Sequence, residues 1–262
     1  MFIEDSFLTN YFYFATCFLI ILCFVAGYID SIAGGAGLIL IPAFLAVGMN
    51  PYLALGQEKL VSTMGTMSAI RNFIKSKSVV WEIIPLGIVT SLIGSIIGSN
   101  LILVVEVQWV YYVIIVLLPF GLLLTLFRGL FVGLRSNIEV KQHRILTAIT
   151  CLMVGFYDGF FGPGTGSIFI ISLCCINGMS PLNASATSKI FNLSSNLGAF
   201  LSFFMANQMA VALGIPMIIA SIVGNHIGSM HAISATGNII KNVLVLTVVM
   251  TSLTLIWRFL SL

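Results

Sequence analysis

Two glycine-rich segments, each just after an aspartate inside a long apolar stretch, limit the folds open to this chain more than any other feature. Residues 27–37 read GYIDSIAGGAG, and residues 155–166 read GFYDGFFGPGTG. A carboxylate and several helix-breaking residues are costly at membrane depth, and they persist there mainly where the backbone lines a cavity or a site. Their duplication indicates a membrane chain of two repeats with a site between them.

The composition supports a location within a lipid bilayer. Of the 262 residues, 59% are hydrophobic and only 7% are charged, whereas a soluble chain carries about 25% charged residues. The apolar stretches recur at helix-spanning length, far longer than the roughly ten-residue strands of an outer-membrane barrel. We therefore predict an all-α polytopic membrane protein that lies in a lipid bilayer and binds no nucleic acid.

The chain matches itself along its length. Gly27 to Asp30 repeats as Gly155 to Asp158 at an offset of 128, and the motif GMNP at 48–51 recurs as GMSP at 178–181 at an offset of 130. Lys59 then falls on Lys189. We predict a single transporter domain over 1–262, with repeats at about 11–127 and 145–258 joined by a basic connecting loop, 128–144.

Each repeat divides into five apolar segments. In the first repeat they are Tyr11–Ala33, Leu38–Val47, Tyr52–Ile74, Trp81–Val104 and Val107–Phe127. In the second they are Ile145–Phe161, Ile168–Ile176, Leu182–Ala206, Val211–Ser234 and Ile239–Trp257. The second segment of each repeat is about ten residues long, against the ~20 that a spanning helix needs, so we predict a half-helix there and 8–10 transmembrane segments overall.

The basic residues predict the orientation. With five passes per repeat, one side receives only Arg258, and the other receives eight basic residues: Arg71, Lys75, Lys77, Arg128, Arg135, Lys141, Arg144 and Lys241. The positive-inside rule makes the richer side cytoplasmic, and an odd number of passes makes the repeats inverted. The alternative is four passes per repeat, which gives eight helices and parallel halves.

Two polar stripes are the candidate substrate contacts. Lys59, Ser62, Thr63 and Thr66 share one helical face by their spacing, and Lys189, Asn192 and Asn196 do so in the second repeat. Two such faces, each with an ammonium and neutral hydrogen-bonding groups, suit a small oxyanion. The alternative is that each lysine neutralises an acid or extends to an interface; Glu58 is adjacent to Lys59 but is expected to point away from it on a helix.

The predicted half-helices offer a second means of binding an anion. The first turn of a helix leaves N–H groups unpaired at the positive end of its dipole, and glycine there permits close approach and positive φ. The residues expected to form these starts are Gly34, Gly35 and Gly37 in the first repeat and Gly162, Gly164, Thr165, Gly166 and Ser167 in the second. Both starts are expected to meet near the axis that relates the repeats.

Asp30 and Asp158 are the candidates for proton coupling, because a buried aspartate can load and release a proton near neutral pH. The alternative is that each aspartate pairs with Lys59 or Lys189, or caps a half-helix.

Two G-x-x-x-G spacings, Gly94/Gly98 and Gly224/Gly228, predict close helix packing within the chain or in a homodimer.

These residues resemble the sulfite exporter TauE/SafE family, also called the 4-toluene sulfonate uptake permease family. The matching stretches are residues 30–39, residues 155–167, and the run ASATSK at 184–189 followed by Asn192. The resemblance covers nearly the whole chain and implies a bacterial inner-membrane transporter of small sulfur anions. One departure stands out, since the family usually reads Gly-Thr-Asn-Lys where this chain has Gly-Gln-Glu-Lys at 56–59.

The leading hypothesis is a secondary transporter that moves a sulfur-containing oxyanion or organic sulfonate by alternating access, with export expected over uptake. It needs no cofactor and no metal, and it is not an enzyme. One alternative is an anion channel. The other is an intramembrane hydrolase that uses Ser167 with His226 or His231, although the serine lacks a G-x-S-x-G frame.

The inverted arrangement makes a direct topological prediction. A reporter fused after Leu262 should report the non-cytoplasmic side, because ten passes starting outside end outside. A reporter that is active only in the cytoplasm would contradict the inverted arrangement and favour eight passes.

Overall fold

The computed structural model describes residues 7–133 and 143–234, and the regular elements in these ranges are helices. They are α1 (Phe7–Asn10), α2 (Phe12–Ala33), α3 (Ala36–Ala46), α4 (Pro51–Lys75), α5 (Ile84–Val104, preceded by a 3-10 turn at Trp81–Ile83), α6 (Val107–Gly133), α7 (Arg144–Phe160), α8 (Thr165–Asn177), α9 (Pro181–Met205) and α10 (Val211–Ser234). This confirms the all-α prediction. The predicted segment Ile239–Trp257 lies outside the described residues.

Four of these helices are long and apolar enough to cross a bilayer. They are α2, α5 with its 3-10 turn, α6 as far as Thr125, and α10. Helices α4 and α9 have 25 residues each, or ~37 Å at a rise of 1.5 Å per residue, but both carry the buried polar stripes. Length and composition therefore support several passes through a membrane.

Helices α3 and α8 are short, as the apolar segments predicted. They have 11 and 13 residues, which correspond to ~17 and ~20 Å, less than the ~30 Å hydrocarbon core. Each begins after a glycine with a positive φ angle, which residues with a side chain rarely adopt. The angle is 134° at Gly35 and 86° at Gly164. The glycines thus set the points where the chain leaves one helix and starts the next.

The repeated motif GMNP/GMSP starts α4 and α9 in the same way. Asn50 Oδ1 accepts a hydrogen bond from the Leu53 N–H at 2.8 Å, and Ser180 Oγ accepts one from the Asn183 N–H at 3.3 Å. A proline follows each cap in the first turn of the helix. N–H groups in the first turn have no acceptor within the helix, so the proline costs no hydrogen bond there.

The long helices pack across the two predicted repeats. Helix α5 packs against α7 and α9, while α10 packs against α2 and α4, and α4 contacts α9 between them. Helices of each predicted repeat therefore pack against helices of the other. The repeats and their inversion stay predictions, because this contact pattern does not fix the orientation of any helix in a bilayer.

The G-x-x-x-G glycines serve packing inside the chain. A Cβ added at Gly98 would lie 2.8 Å from Phe160 N, and one at Gly228 would lie 3.0 Å from the carbonyl carbon of Tyr28. Close approach of α5 to α7 and of α10 to α2 thus depends on a missing side chain. A homodimer through these glycine-spaced helices stays a prediction.

Replacing Gly98 with alanine should lower the thermal stability of the detergent-solubilised protein, by ~1–3 kcal/mol, because the new methyl group meets backbone that has no room to move. Ile97→Ala is the matched control, since the neighbouring Ile97 side chain is 53% exposed and faces outward. Equal melting temperatures for the two variants would contradict this packing.

Candidate functional site

The two glycine-rich breaks touch each other through their backbones. A Cβ built on Gly34 would lie 2.5 Å from Gly166 Cα, and one built on Gly166 would lie 2.6 Å from Gly34 Cα. Close by, Ser167 Oγ donates a hydrogen bond to the Ala33 carbonyl oxygen at 2.9 Å. Only glycine allows this approach, so the contact explains why both breaks carry one at this point.

The first buried ion pair joins Lys189 to Asp30. Lys189 Nζ lies 2.7 Å from Asp30 Oδ2 and also donates to the Asp30 carbonyl oxygen. Asp30 Oδ1 accepts from the N–H groups of Gly35 at 2.9 Å and Ala36 at 3.3 Å. The Asp30 carboxylate therefore also occupies the N-terminus of α3, so both structural alternatives for this residue, pairing and capping, hold in the structure.

The second buried ion pair joins Lys59 to Asp158. Lys59 Nζ lies 2.8 Å from Asp158 Oδ1 and donates to Asn196 Oδ1 at 3.0 Å. Asp158 Oδ2 accepts from Ser195 Oγ at 2.5 Å. The second carboxylate oxygen of Asp158 thus bonds to α9, whereas that of Asp30 bonds at the start of α3.

The two pairs cross between the predicted repeats. Lys59 on α4 pairs with an aspartate on α7, and Lys189 on α9 pairs with an aspartate on α2. All four side chains are buried. Removing one partner of a buried ion pair is strongly destabilising, because the charge of the other partner is left uncompensated.

Because Asp158 is engaged elsewhere, the N-terminus of α8 carries no carboxylate. The Thr165 N–H donates to the Gly162 carbonyl oxygen at 3.1 Å, and the Ile168 N–H to that of Gly164 at 3.1 Å. Between them, the N–H groups of Gly166 and Ser167 have no acceptor among the described residues. A helix start with free N–H groups favours an anion.

A small polar cavity lies where these elements meet. It has room for about one water molecule, about 10 Å³. The residues that line it are Asp30, Gly35, Ala36, Gly37, Glu58, Ser62, Asp158, Gly162, Thr165, Gly166, Asn192 and Asn196.

Most of the predicted site residues come together at this cavity, and six do not line it. Lys59 and Lys189 are held by their aspartates, Gly34 and Ser167 form the contact between the breaks, and Gly164 starts α8. The remaining residue, Thr66, is buried and its hydroxyl has no partner among the described residues. Direct binding of substrate by the lysines stays a prediction.

Glu58 does not point away from the site, contrary to the expectation from its position on a helix. Its Oε2 lies 3.2 Å from Lys59 Nζ, and its Oε1 accepts from Ser62 Oγ at 2.7 Å. Both the glutamate and the lysine side chains are long and flexible, so they turn toward each other despite the ~100° between adjacent helical positions. The signal that marks Glu58 in the sequence is its departure from the usual family motif.

The residues of the hydrolase alternative do not form a catalytic group. Ser167 donates to the Ala33 carbonyl oxygen, His226 Nδ1 lies 3.2 Å from Asn72 Nδ2, and His231 Nδ1 lies 2.9 Å from the Tyr28 hydroxyl. These contacts give the serine no histidine as a base.

Comparison with known proteins identifies the family of this chain. The family model described as "Sulfite exporter TauE/SafE" matches residues 19–255. No solved structure gives a significant match.

Several curated proteins are similar over most of their length. One from Sinorhizobium sp, named "Probable membrane transporter protein ORF9", is 35% identical over 236 residues, 87% of each chain. A "Probable membrane transporter protein" from Haemophilus influenzae is 34% identical, covering 85% of this chain and 87% of its own. "Probable membrane transporter protein YfcA" from Escherichia coli K12 is 33% identical, covering 91% and 88%. These names point to a transporter rather than an enzyme.

A double-mutant cycle should reveal the strength of the Lys189–Asp30 pair. Lys189→Met and Asp30→Asn should each lower the stability of the solubilised protein by ~3–5 kcal/mol, and the double variant should lose less than the sum, because no charge is left unpaired. Lys75→Met, at the exposed end of α4, is the control and should change little. Additive losses in thermal unfolding would contradict a coupled pair.

Proposed function

We propose that this chain moves a small sulfur-containing oxyanion or organic sulfonate. The chain belongs to the sulfite exporter TauE/SafE family and is a multi-pass membrane transporter. The transport is secondary and crosses the bacterial inner membrane. The description of the family names an exporter, which supports outward movement. The chain carries no nucleotide-binding motif in its sequence, so the energy comes from the gradients of the substrate and of a coupled ion.

The N-terminus of α8 is the observation that carries this proposal. It brings the Gly166 N–H, which has no acceptor among the described residues, to the lining of a polar cavity, and the Ser167 N–H, also without an acceptor there, follows in the same turn. An oxyanion in this place receives hydrogen bonds from backbone N–H groups and the favourable end of the helix dipole. The amide of Asn192, which lines the same cavity, adds a neutral donor on the facing helix.

The buried lysines contribute to the site by holding its shape. Their ammonium groups neutralise Asp30 and Asp158, which would otherwise repel an anion from the cavity. We therefore assign both aspartates to holding the breaks in place. In this account the anion meets backbone and amide donors, while the two ion pairs keep the surrounding charge low.

The size of the cavity supports alternating access. A space for about one water molecule is too small for sulfite or a sulfonate, so the surrounding helices have to separate before the anion can enter. The glycines with positive φ at the start of α3 and α8 place flexible backbone at the points where separation is needed. A transporter that closes around its cargo fits this narrow cavity better than a channel does.

Flux measurements on the reconstituted protein test the substrate class. Liposomes that contain the protein should take up or release sulfite, thiosulfate or an organic sulfonate and discriminate against acetate, whose planar carboxylate offers fewer oxygen acceptors. Protein-free liposomes give the background rate. Acetate transport at the same rate as every sulfur anion would contradict the proposed substrate class.

A single lining residue tests the site. Asn192→Ala should weaken apparent anion affinity by about 10- to 100-fold, because a hydrogen bond to a charged group is worth ~1.5–3 kcal/mol. It should also lower thermal stability by ~1–3 kcal/mol, because Asn192 Oδ1 accepts a buried hydrogen bond from Asn196 Nδ2 at 3.2 Å. Thr90→Ala is the control, since Thr90 lies on α5 and its hydroxyl bonds only to its own helix. Unchanged affinity in Asn192→Ala would place the anion elsewhere, as would unchanged uptake in both Lys59→Ala and Lys189→Ala.

A further inference from the structure

The buried charges at the site do not balance. Three carboxyl groups, those of Asp30, Glu58 and Asp158, lie within reach of two ammonium groups, those of Lys59 and Lys189. If all five are ionised, three negative and two positive charges leave a net charge of −1. All five are buried, where an uncompensated charge is costly. A net negative site would also repel an anionic substrate.

Glu58 is the carboxyl group with the weakest set of partners. Asp30 receives a lysine and two backbone N–H groups, and Asp158 receives a lysine and a serine hydroxyl. Glu58 receives one hydrogen bond, from Ser62 to its Oε1. Its Oε2 is 3.2 Å from Lys59 Nζ but accepts no hydrogen bond from any described residue. The ammonium of Lys59 donates to Asp158 and Asn196 instead.

Glu58 lines the cavity that the anion is proposed to enter. Glu58 is only 4% exposed, yet it lines the polar cavity. The charged groups around it are Lys59 on its own helix, Asp158 on α7, and, across the cavity, Asp30 on α2 with Lys189 on α9. Among the described residues, no titratable side chain of α3, α6, α8 or α10 lines the cavity.

We propose that Glu58 binds a proton when the cavity takes up its anion, so that proton and anion cross the membrane together. Outward movement is then driven by the gradient of the anion, against the inward proton gradient. The proposal rests on the proposed transport function and names the coupling group for it. Protonation turns the Glu58 carboxylate into a neutral carboxylic acid and brings the net charge of the site from −1 to zero. The anion then enters a site that no longer repels it, and by reciprocity the bound anion strengthens proton binding.

This assignment differs from the sequence-based candidates for coupling. Asp30 and Asp158 each keep a lysine within 2.8 Å, so protonation of either would strand a buried ammonium. Protonation of Glu58 strands none, since Lys59 keeps Asp158. The hydroxyl of a neutral Glu58 can also donate a hydrogen bond to the anion in the cavity.

Proton movement with a non-titrating anion tests the proposal. Methanesulfonate stays fully ionised near neutral pH, so protons that move with it in liposomes, read by an internal pH-sensitive dye, must be carried by the protein. The wild type should acidify the compartment that receives the sulfonate. Glu58→Gln should exchange the sulfonate but lose the accompanying proton movement and the pH dependence of sulfonate affinity. Glu58→Asp should keep both.

An infrared pH titration of the purified protein tests the same group without any substrate. The other seven Asp and Glu residues also absorb once they are protonated, so the difference between the wild type and Glu58→Gln is the readout. The wild type should show one additional carboxylic-acid absorption that grows as the pH falls. Glu58→Asn, with the residue of the usual family motif, gives a second variant should the first fail to fold. Proton movement that persists in these variants, or a carboxylic-acid absorption identical to that of the wild type, would overturn the assignment. Failure of the wild type to move any sulfur anion would contradict the proposed function, while the infrared band would still test Glu58.

Discussion

Neutralisation of charge inside a nonpolar molecule is the constraint on which the rest of this structure depends. Lys59 and Lys189 each form an ion pair with an aspartate of the opposite predicted repeat. Neither ammonium can return to water without leaving a buried carboxylate behind. The crossed pairs therefore hold the two glycine-rich breaks against each other, at the contact between Gly34 and Gly166.

The two predicted repeats differ in whether an aspartate occupies the N-terminus of their short helix. Asp30 occupies the N-terminus of α3, whereas Asp158 bonds to Ser195, and in the described part of the chain no carboxylate occupies the N-terminus of α8. Position 65, which corresponds to Ser195 at the repeat offset of 130, is a glycine and offers no hydroxyl. One serine side chain thus separates a helix start that is already filled from one that can receive an anion.

Much of this arrangement could be predicted from the sequence. Glycine placement and segment length predict α3 and α8, since a run of about ten apolar residues cannot span a bilayer. The spacing of Lys59, Ser62 and Thr66 predicts a shared face, and pairing with the aspartates was one of the alternatives it left open. Which lysine meets which aspartate could not be predicted, because that depends on how α4 and α9 pack against α7 and α2. The orientation of Glu58 was missed for a similar reason, since helical periodicity fixes where a side chain starts and not where a long one ends.

A structure of the protein with bound selenite, a heavier analogue of sulfite that anomalous diffraction can locate, tests the central claim most directly. The account predicts one anion between the two breaks, within hydrogen-bond distance of the Gly166 and Ser167 N–H groups and of the Asn192 amide, with both crossed ion pairs intact. An anion bound directly to the ammonium groups of Lys59 or Lys189, with the aspartates displaced, would contradict it. So would an anion bound outside the space between the breaks.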